Sequence, residues 1–158
     1  MSAIKQSFAV SDLLGTHALA AALAHKCERG DCITLNGDLG SGKTSFARGF
    51  IGALYSGPEE IVSPTFTLVQ TYPARPCSIW HFDLYRLKSA AELREIGLDE
   101  ALQNGITLIE WSQLAQSELP ADTLNIVITM GDRPDSRIFT LSANATWQKR
   151  LDMLGTVS

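Results

Sequence analysis

Eight residues constrain this chain more than any other part of it: Gly37-Asp38-Leu39-Gly40-Ser41-Gly42-Lys43-Thr44. They fit G-x-x-x-x-G-K-[ST], the phosphate-binding P-loop. The residue types follow from the chemistry. Glycines let the backbone wrap closely around a phosphate, and successive N–H groups form an anion nest. The lysine reaches the β- and γ-phosphates, and the hydroxyl that follows it binds Mg²⁺. The flanks fit as well. Cys32-Ile33-Thr34-Leu35 reads as a short buried strand. Ser45 to Leu54 reads as a helix, with Phe46, Phe50 and Leu54 four residues apart. A helix N-terminus is where a triphosphate is best stabilised. A random chain of this length matches the pattern about once in two hundred, before strand and helix are also required.

The 158 residues point to one domain, 1–158. Hydrophobic content of 45% and charged content of 19% are those of a soluble globular protein. The net charge of −4 argues against broad, unaided nucleic-acid binding, which needs basic patches to displace counterions. Three cysteines without a C-x-x-C pair predict buried thiols, with no disulfide and no zinc site. The Ala-rich run from Leu13 to Cys27 is too short and too polar to span a membrane. The expected location is the cytoplasm.

Along the chain, Phe8 to Val10 reads as a first strand and Ser11 as the N-cap of a helix to about Lys26. Gly57-Pro58 breaks the helix that follows the P-loop. Thr65 to Tyr72 and Ser78 to Phe82 read as strands around a turn bounded by Pro73 and Pro76. Ser89-Ala90-Ala91-Glu92 is a capping box that opens a helix, broken at Gly97 and resumed to about Gln103. Ile106 to Ile109 is a buried strand running into Glu110-Trp111. Leu124 to Met130 and Ile138 to Leu141 predict two more strands, pairing antiparallel at an edge, before a terminal helix from Ala145 to Leu154. The fold class is α/β: a single P-loop domain, mainly parallel sheet flanked by helices, with antiparallel strands toward the C-terminus.

A P-loop protein needs a carboxylate to hold or orient Mg²⁺ and water, at the end of a neighbouring hydrophobic strand. Glu110 and Asp83 both qualify, and both strand ends face the side where open α/β sheets bind ligands. Thr65 lies 21 residues beyond Thr44, where a nucleotide switch senses the γ-phosphate; by position alone it is equally a turn into the next strand. His81 is a core histidine, a switch or a base, with the hydrogen-bonding core role favoured. Trp111 stacks on a base, plugs a core or anchors an interface.

A GTPase is excluded because no N-K-x-D signature occurs, and Asp12-Leu13-Leu14-Gly15 precedes the P-loop. A small-molecule kinase remains open, although the arginines are scattered and there is little room for a lid. The motifs taken in order resemble a known family. Gly37 to Thr44, then Ser63-Pro64-Thr65-Phe66-Thr67-Leu68, then His81-Phe82-Asp83-Leu84-Tyr85-Arg86, then Ile109-Glu110-Trp111 closely resemble the bacterial TsaE family, formerly YjeE. The likeness extends over residues 5 to 143. Ser41 is a conservative departure where alanine is common.

The resemblance implies an ATPase of tRNA threonylcarbamoyladenosine synthesis that works with TsaD and TsaB, touching tRNA only indirectly. It implies Mg²⁺-dependent ATP binding and slow hydrolysis. Carried onto this chain, Gly37, Asp38, Leu39, Gly40, Ser41, Gly42, Lys43 and Thr44 cradle the phosphates. Lys43 neutralises charge on the transferred phosphoryl. Thr44 and Glu110 contact Mg²⁺, Asp83 orients water or a metal-bound water, and Thr65 responds to the γ-phosphate. Trp111 lies near the nucleotide or a partner surface, and Thr16 borders the adenine pocket. A nucleotide-sensing interaction module with incidental hydrolysis is the remaining alternative.

Overall fold

Alternating buried strands and amphipathic helices can hide their apolar faces only by layering helices on both sides of a sheet. The computed structural model, which describes residues 3–38, 40–57, 60–62, 64 and 67–154, has that arrangement. Its strands are β1 (Ala3–Val10), β2 (Cys32–Asn36), β3 (Val69–Tyr72), β4 (Ile79–Asp83), β5 (Ile106–Glu110), β6 (Leu124–Met130) and β7 (Arg137–Asn144). They form one sheet in the order β1-β7-β6-β2-β5-β4-β3. The four central strands β6, β2, β5 and β4 run parallel. The β3–β4, β6–β7 and β1–β7 pairs are antiparallel.

The helices are α1 (Leu13–Ala24), α2 (Lys43–Leu54), α3 (Glu92–Glu95), α4 (Leu98–Asn104) and α5 (Gln148–Leu154). Side chains alternate across a strand, so neighbours in sequence serve opposite layers. Ile33, Leu35 and Leu108 pack with Leu19 and Leu23 of α1, Phe46 and Phe50 of α2, and Leu151 of α5. Cys32, Phe82 and Ile109 pack with Leu93 of α3 and Leu98 and Ala101 of α4. Phe46 anchors α2 to the sheet: it is fully buried and its ring lies 5.3 Å from that of Phe139 on β7. Truncating such a phenylalanine to alanine costs about 3–5 kcal/mol.

Several boundaries differ from the sequence expectation, each for a local reason. The β6–β7 hairpin is not the sheet edge, because β1 runs all eight residues and pairs along the whole of β7. Asp12, not Ser11, caps α1: its carboxylate accepts the Gly15 amide at 2.9 Å. The strand expected from Thr65 starts at Val69, since Leu68 has a left-handed φ of 70°. Thr65 itself lies outside the described residues, as do Leu39, Ser63 and Phe66. At the Ser89–Glu92 box, the Glu92 carboxylate reaches the Lys88 amide at 3.5 Å, and α3 starts only at Glu92. The break at Gly97 is where expected, with φ of 86°. The terminal helix begins as a 3-10 turn, Ala145–Trp147.

Candidate functional site

Parallel strands deliver their carboxyl ends to one edge of the sheet. Here that edge receives Asn36 of β2, Asp83 of β4 and Glu110 of β5. Asp83 and Glu110 are register partners on adjacent strands, and Leu35 pairs with Glu110. The chain leaves β2 through Gly37. A Cβ there would stand 2.5 Å from Ser41 Oγ and 2.8 Å from the Ile128 carbonyl, so only glycine fits the bend. Gly42 has a φ of 110° and serves as the N-cap of α2, a conformation that costs glycine little. The first-turn amides of a helix lack intrahelical acceptors, so the start of α2 offers donors to an anion. Within the loop, the Ser41 amide is committed to the Asp38 carbonyl at 3.0 Å.

Lys43 lies across the mouth of this loop. Its Nζ donates to the carbonyls of Gly37 at 2.6 Å and Asp38 at 3.0 Å, and sits 4.1 Å from the centre of the Trp111 ring. Burial pushes the ammonium below its ordinary pKa, and the carboxylates of Glu110, Asp83 and Asp38 only partly restore it. The Thr44 hydroxyl lies 3.4 Å from Glu110 Oε1. The other oxygen, Oε2, is bonded to His81 Nε2 at 2.7 Å, with both side chains buried. Asp83 is buried and accepts the Tyr85 amide at 3.0 Å.

Together these groups bound a pocket of about 400 Å³ that exposes Lys43, Thr44, Asp83, Glu110 and Trp111. Five of the residues singled out in the sequence thus converge on one cavity, and Gly40 and Gly42 also line it. Thr16 is buried on α1 and is not among the lining residues. Trp111 adopts a left-handed φ of 57°, turning the chain from β5 into a 3-10 helix, Ser112–Glu118, that the sequence reading did not foresee. The adjoining Ser112 hydroxyl donates to Asn36 Oδ1 at 2.9 Å, tying the segment after Trp111 to the residue before the loop.

Three lining residues were missed: Ser45, which follows Thr44 in α2, Arg137 and Tyr85. Arg137 comes from β7, and its Nε donates to the Ser41 carbonyl at 2.8 Å. Nothing in its local sequence marks it, since its place depends on the strand order. Tyr85 packs on Trp111 with ring centres 4.8 Å apart. Its signal was available: it stands two residues beyond Asp83, inside the His81-to-Arg86 motif.

The donor set suits Mg²⁺, a hard cation that takes hydroxyl and carboxylate oxygens and keeps several waters. Thr44 in the first turn of α2 and Glu110 at the end of β5 offer such oxygens. A triphosphate entering beside the neighbouring Asp83 and Glu110 carboxylates would also need their charge offset. No helix among the described residues is long and apolar enough to cross a membrane.

Comparison with known proteins fits this geometry. The family model described as "Threonylcarbamoyl adenosine biosynthesis protein TsaE" matches residues 10–138. The tRNA threonylcarbamoyladenosine biosynthesis protein TsaE of Rickettsia felis is 38% identical over 139 residues, covering 88% of this chain and 81% of that protein. Its namesake in Bacillus subtilis is 41% identical over 131 residues, covering 81% and 79%. Among solved structures, the crystal structure of Bacillus subtilis YdiB matches with a TM-score of 0.80 and 31% identity, over 98% of this chain and 96% of that one. On these grounds the chain belongs to the TsaE family, whose role is in threonylcarbamoyladenosine biosynthesis.

Proposed function

We propose that this protein binds ATP with Mg²⁺, hydrolyses it slowly, and thereby supports threonylcarbamoyladenosine modification of tRNA together with TsaD and TsaB. The observation that carries the reading is the meeting of Lys43, Thr44, Asp83 and Glu110 in one pocket at the start of α2. The loop and helix amides hold the phosphates. Lys43, now bonded to loop carbonyls, exchanges those bonds for phosphate oxygens and stabilises charge on the transferred phosphoryl. Thr44 and Glu110 hold Mg²⁺, which when bound neutralises the β- and γ-phosphate oxygens. Asp83 orients the attacking water. Arg137 braces the loop through the Ser41 carbonyl.

An acidic chain suits a component that leaves most tRNA contact to its partners. A ligand moves a surface only by binding one conformation better than another. Contact of Thr65 with the γ-phosphate would supply that preference. The isolated protein is expected to hydrolyse ATP well below the median enzyme rate of about 10 s⁻¹. Titration of a TsaD–TsaB complex is expected to give tighter binding with ATP than with ADP, and faster turnover. Thr65→Ala should reduce that ATP preference more than it reduces nucleotide affinity. Equal partner affinity with ATP, ADP and no nucleotide, together with an unstimulated rate, contradicts the coupling and favours a small-molecule kinase.

A further inference from the structure

The Glu110 carboxylate is divided between two neighbours. Oε1 faces the Thr44 hydroxyl at 3.4 Å, and Oε2 is held by His81 Nε2 at 2.7 Å. A carboxylate bonded through one oxygen loses most of its freedom to turn about its own axis, so the second oxygen is aimed. His81 is itself fixed. It lies on β4 two residues before Asp83, on the strand next to Glu110, and is 1% exposed. Its Nδ1 is buried without a hydrogen-bond partner among the described residues. A proton on Nδ1 would have no acceptor, whereas Nε2–H meets a carboxylate that can only accept. The surroundings therefore satisfy the tautomer in which Nε2 donates to Glu110.

We propose that His81 is a positioning residue for the nucleotide-linked Mg²⁺: by holding Oε2 of Glu110 it presents Oε1, beside the Thr44 hydroxyl, to the metal. This rests on the assignment of the pocket to ATP and Mg²⁺. The bland alternative is a buried histidine that merely fills the core and satisfies a carboxylate. The two differ in what they do to metal-dependent binding. Removing an outer hydrogen bond to a metal-binding group commonly lowers metal affinity by about 10–100-fold. A core filler would act on folding and on all nucleotide binding alike.

The test is calorimetric titration of a non-hydrolysable ATP analogue, adenylyl imidodiphosphate, into the intact protein with Mg²⁺ and with a chelator. The ratio of the two affinities is read for each variant. His81→Leu is expected to lower that ratio about tenfold while leaving chelator-condition affinity within about twofold. His81→Gln can place an amide N–H near the position of Nε2 and should retain most of the ratio. His81→Asn reaches only the position of Nδ1 and should lose it. Should the leucine variant not fold, the Gln and Asn pair decides alone. Equal ratios in Gln and Asn variants, or a full ratio in folded His81→Leu, overturn the role of His81 and leave the pocket assignment standing. Absence of analogue binding by the parent protein overturns the pocket assignment and the role of His81 with it.

Discussion

Buried charge occurs at both ends of the central strands, and the two ends treat it differently. At the amino end, Asp31 precedes β2. Its carboxylate takes Arg150 through both Nη1 at 2.6 Å and Nη2 at 3.3 Å, and accepts the Glu28 amide at 2.7 Å. Burial alone would lower the Arg150 pKa, but the bond and charge of Asp31 raise it above its ordinary value. The guanidinium also stacks 3.6 Å from the Trp147 ring centre. That cluster is closed, with each charged group answered inside the fold. At the carboxyl end, the hydrogen bonds of Lys43 among the described residues go to backbone carbonyls, with the Trp111 ring beside it, and its pKa is lowered by burial. Asp83 and Glu110 stand side by side in the same pocket. The closed cluster sets its charges against one another; the open one sets them on the wall of a pocket. A buried ion pair alone is a poor guide to function, and a charge shifted by burial beside a cavity is a better one.

The contrast is broken most severely at Lys43. Lys43→Ala should reduce ATP turnover by more than about 10²-fold, the scale lost with one charge-stabilising group, while thermal stability holds or rises because a desolvated charge is removed. Rates measured beside a melting curve check both halves. Glu110→Gln keeps the shape and removes the charge, and turnover should fall by about 10²-fold. Unaltered turnover and Mg²⁺ dependence would make Asp83 the main acidic group.

At the closed end the expected effect moves from activity to stability. Asp31→Ala should cost about 2 kcal/mol, or roughly 4–8 °C in Tm for a domain of this size. The figure lies below that for a fully enclosed pair because the Arg150 side chain is 22% exposed. ATP affinity at 25 °C should be unchanged. The smallest effect is chemical. Cys27, Cys32 and Cys77 are buried at or just before the strands' amino ends. Burial pushes all three thiols up, Cys32 to about 12. An aromatic disulfide reagent at pH 8 should label them far more slowly in the folded than in the unfolded chain. The linkage has a definite sign. A raised thiol pKa favours folding below the ordinary value of 9.0, and that contribution is lost as pH rises toward about 12. A melting series across that interval checks it.

Local chemistry was legible in the sequence, whereas meetings across strands were not. The P-loop between β2 and α2 is a continuous segment with its own residue rules. Glu110 and Asp83 were visible because an acid ends each hydrophobic run. His81 bonding to Glu110 was not, because it depends on β4 lying next to β5, with the partners 29 positions apart in the chain. Arg137 reaches the loop only because β7 returns beside β6. The left-handed Trp111 also escaped notice, since no glycine or asparagine marks the position. The antiparallel β6–β7 pair was read correctly from its short connection. That β1 would cover its outer side was not, as only Phe8 to Val10 carried a strand signal.

The central claim is that the open cluster, and not the closed one, is a Mg²⁺–ATP site. The most direct test is calorimetric titration of Mg²⁺ with a non-hydrolysable ATP analogue into the intact protein, Lys43→Ala and Asp31→Ala. The expected result is saturable one-to-one binding by the parent, unchanged binding by Asp31→Ala, and affinity lowered by about 10²-fold or more in folded Lys43→Ala. No binding by the parent, or equal affinity in parent and Lys43→Ala, would contradict it.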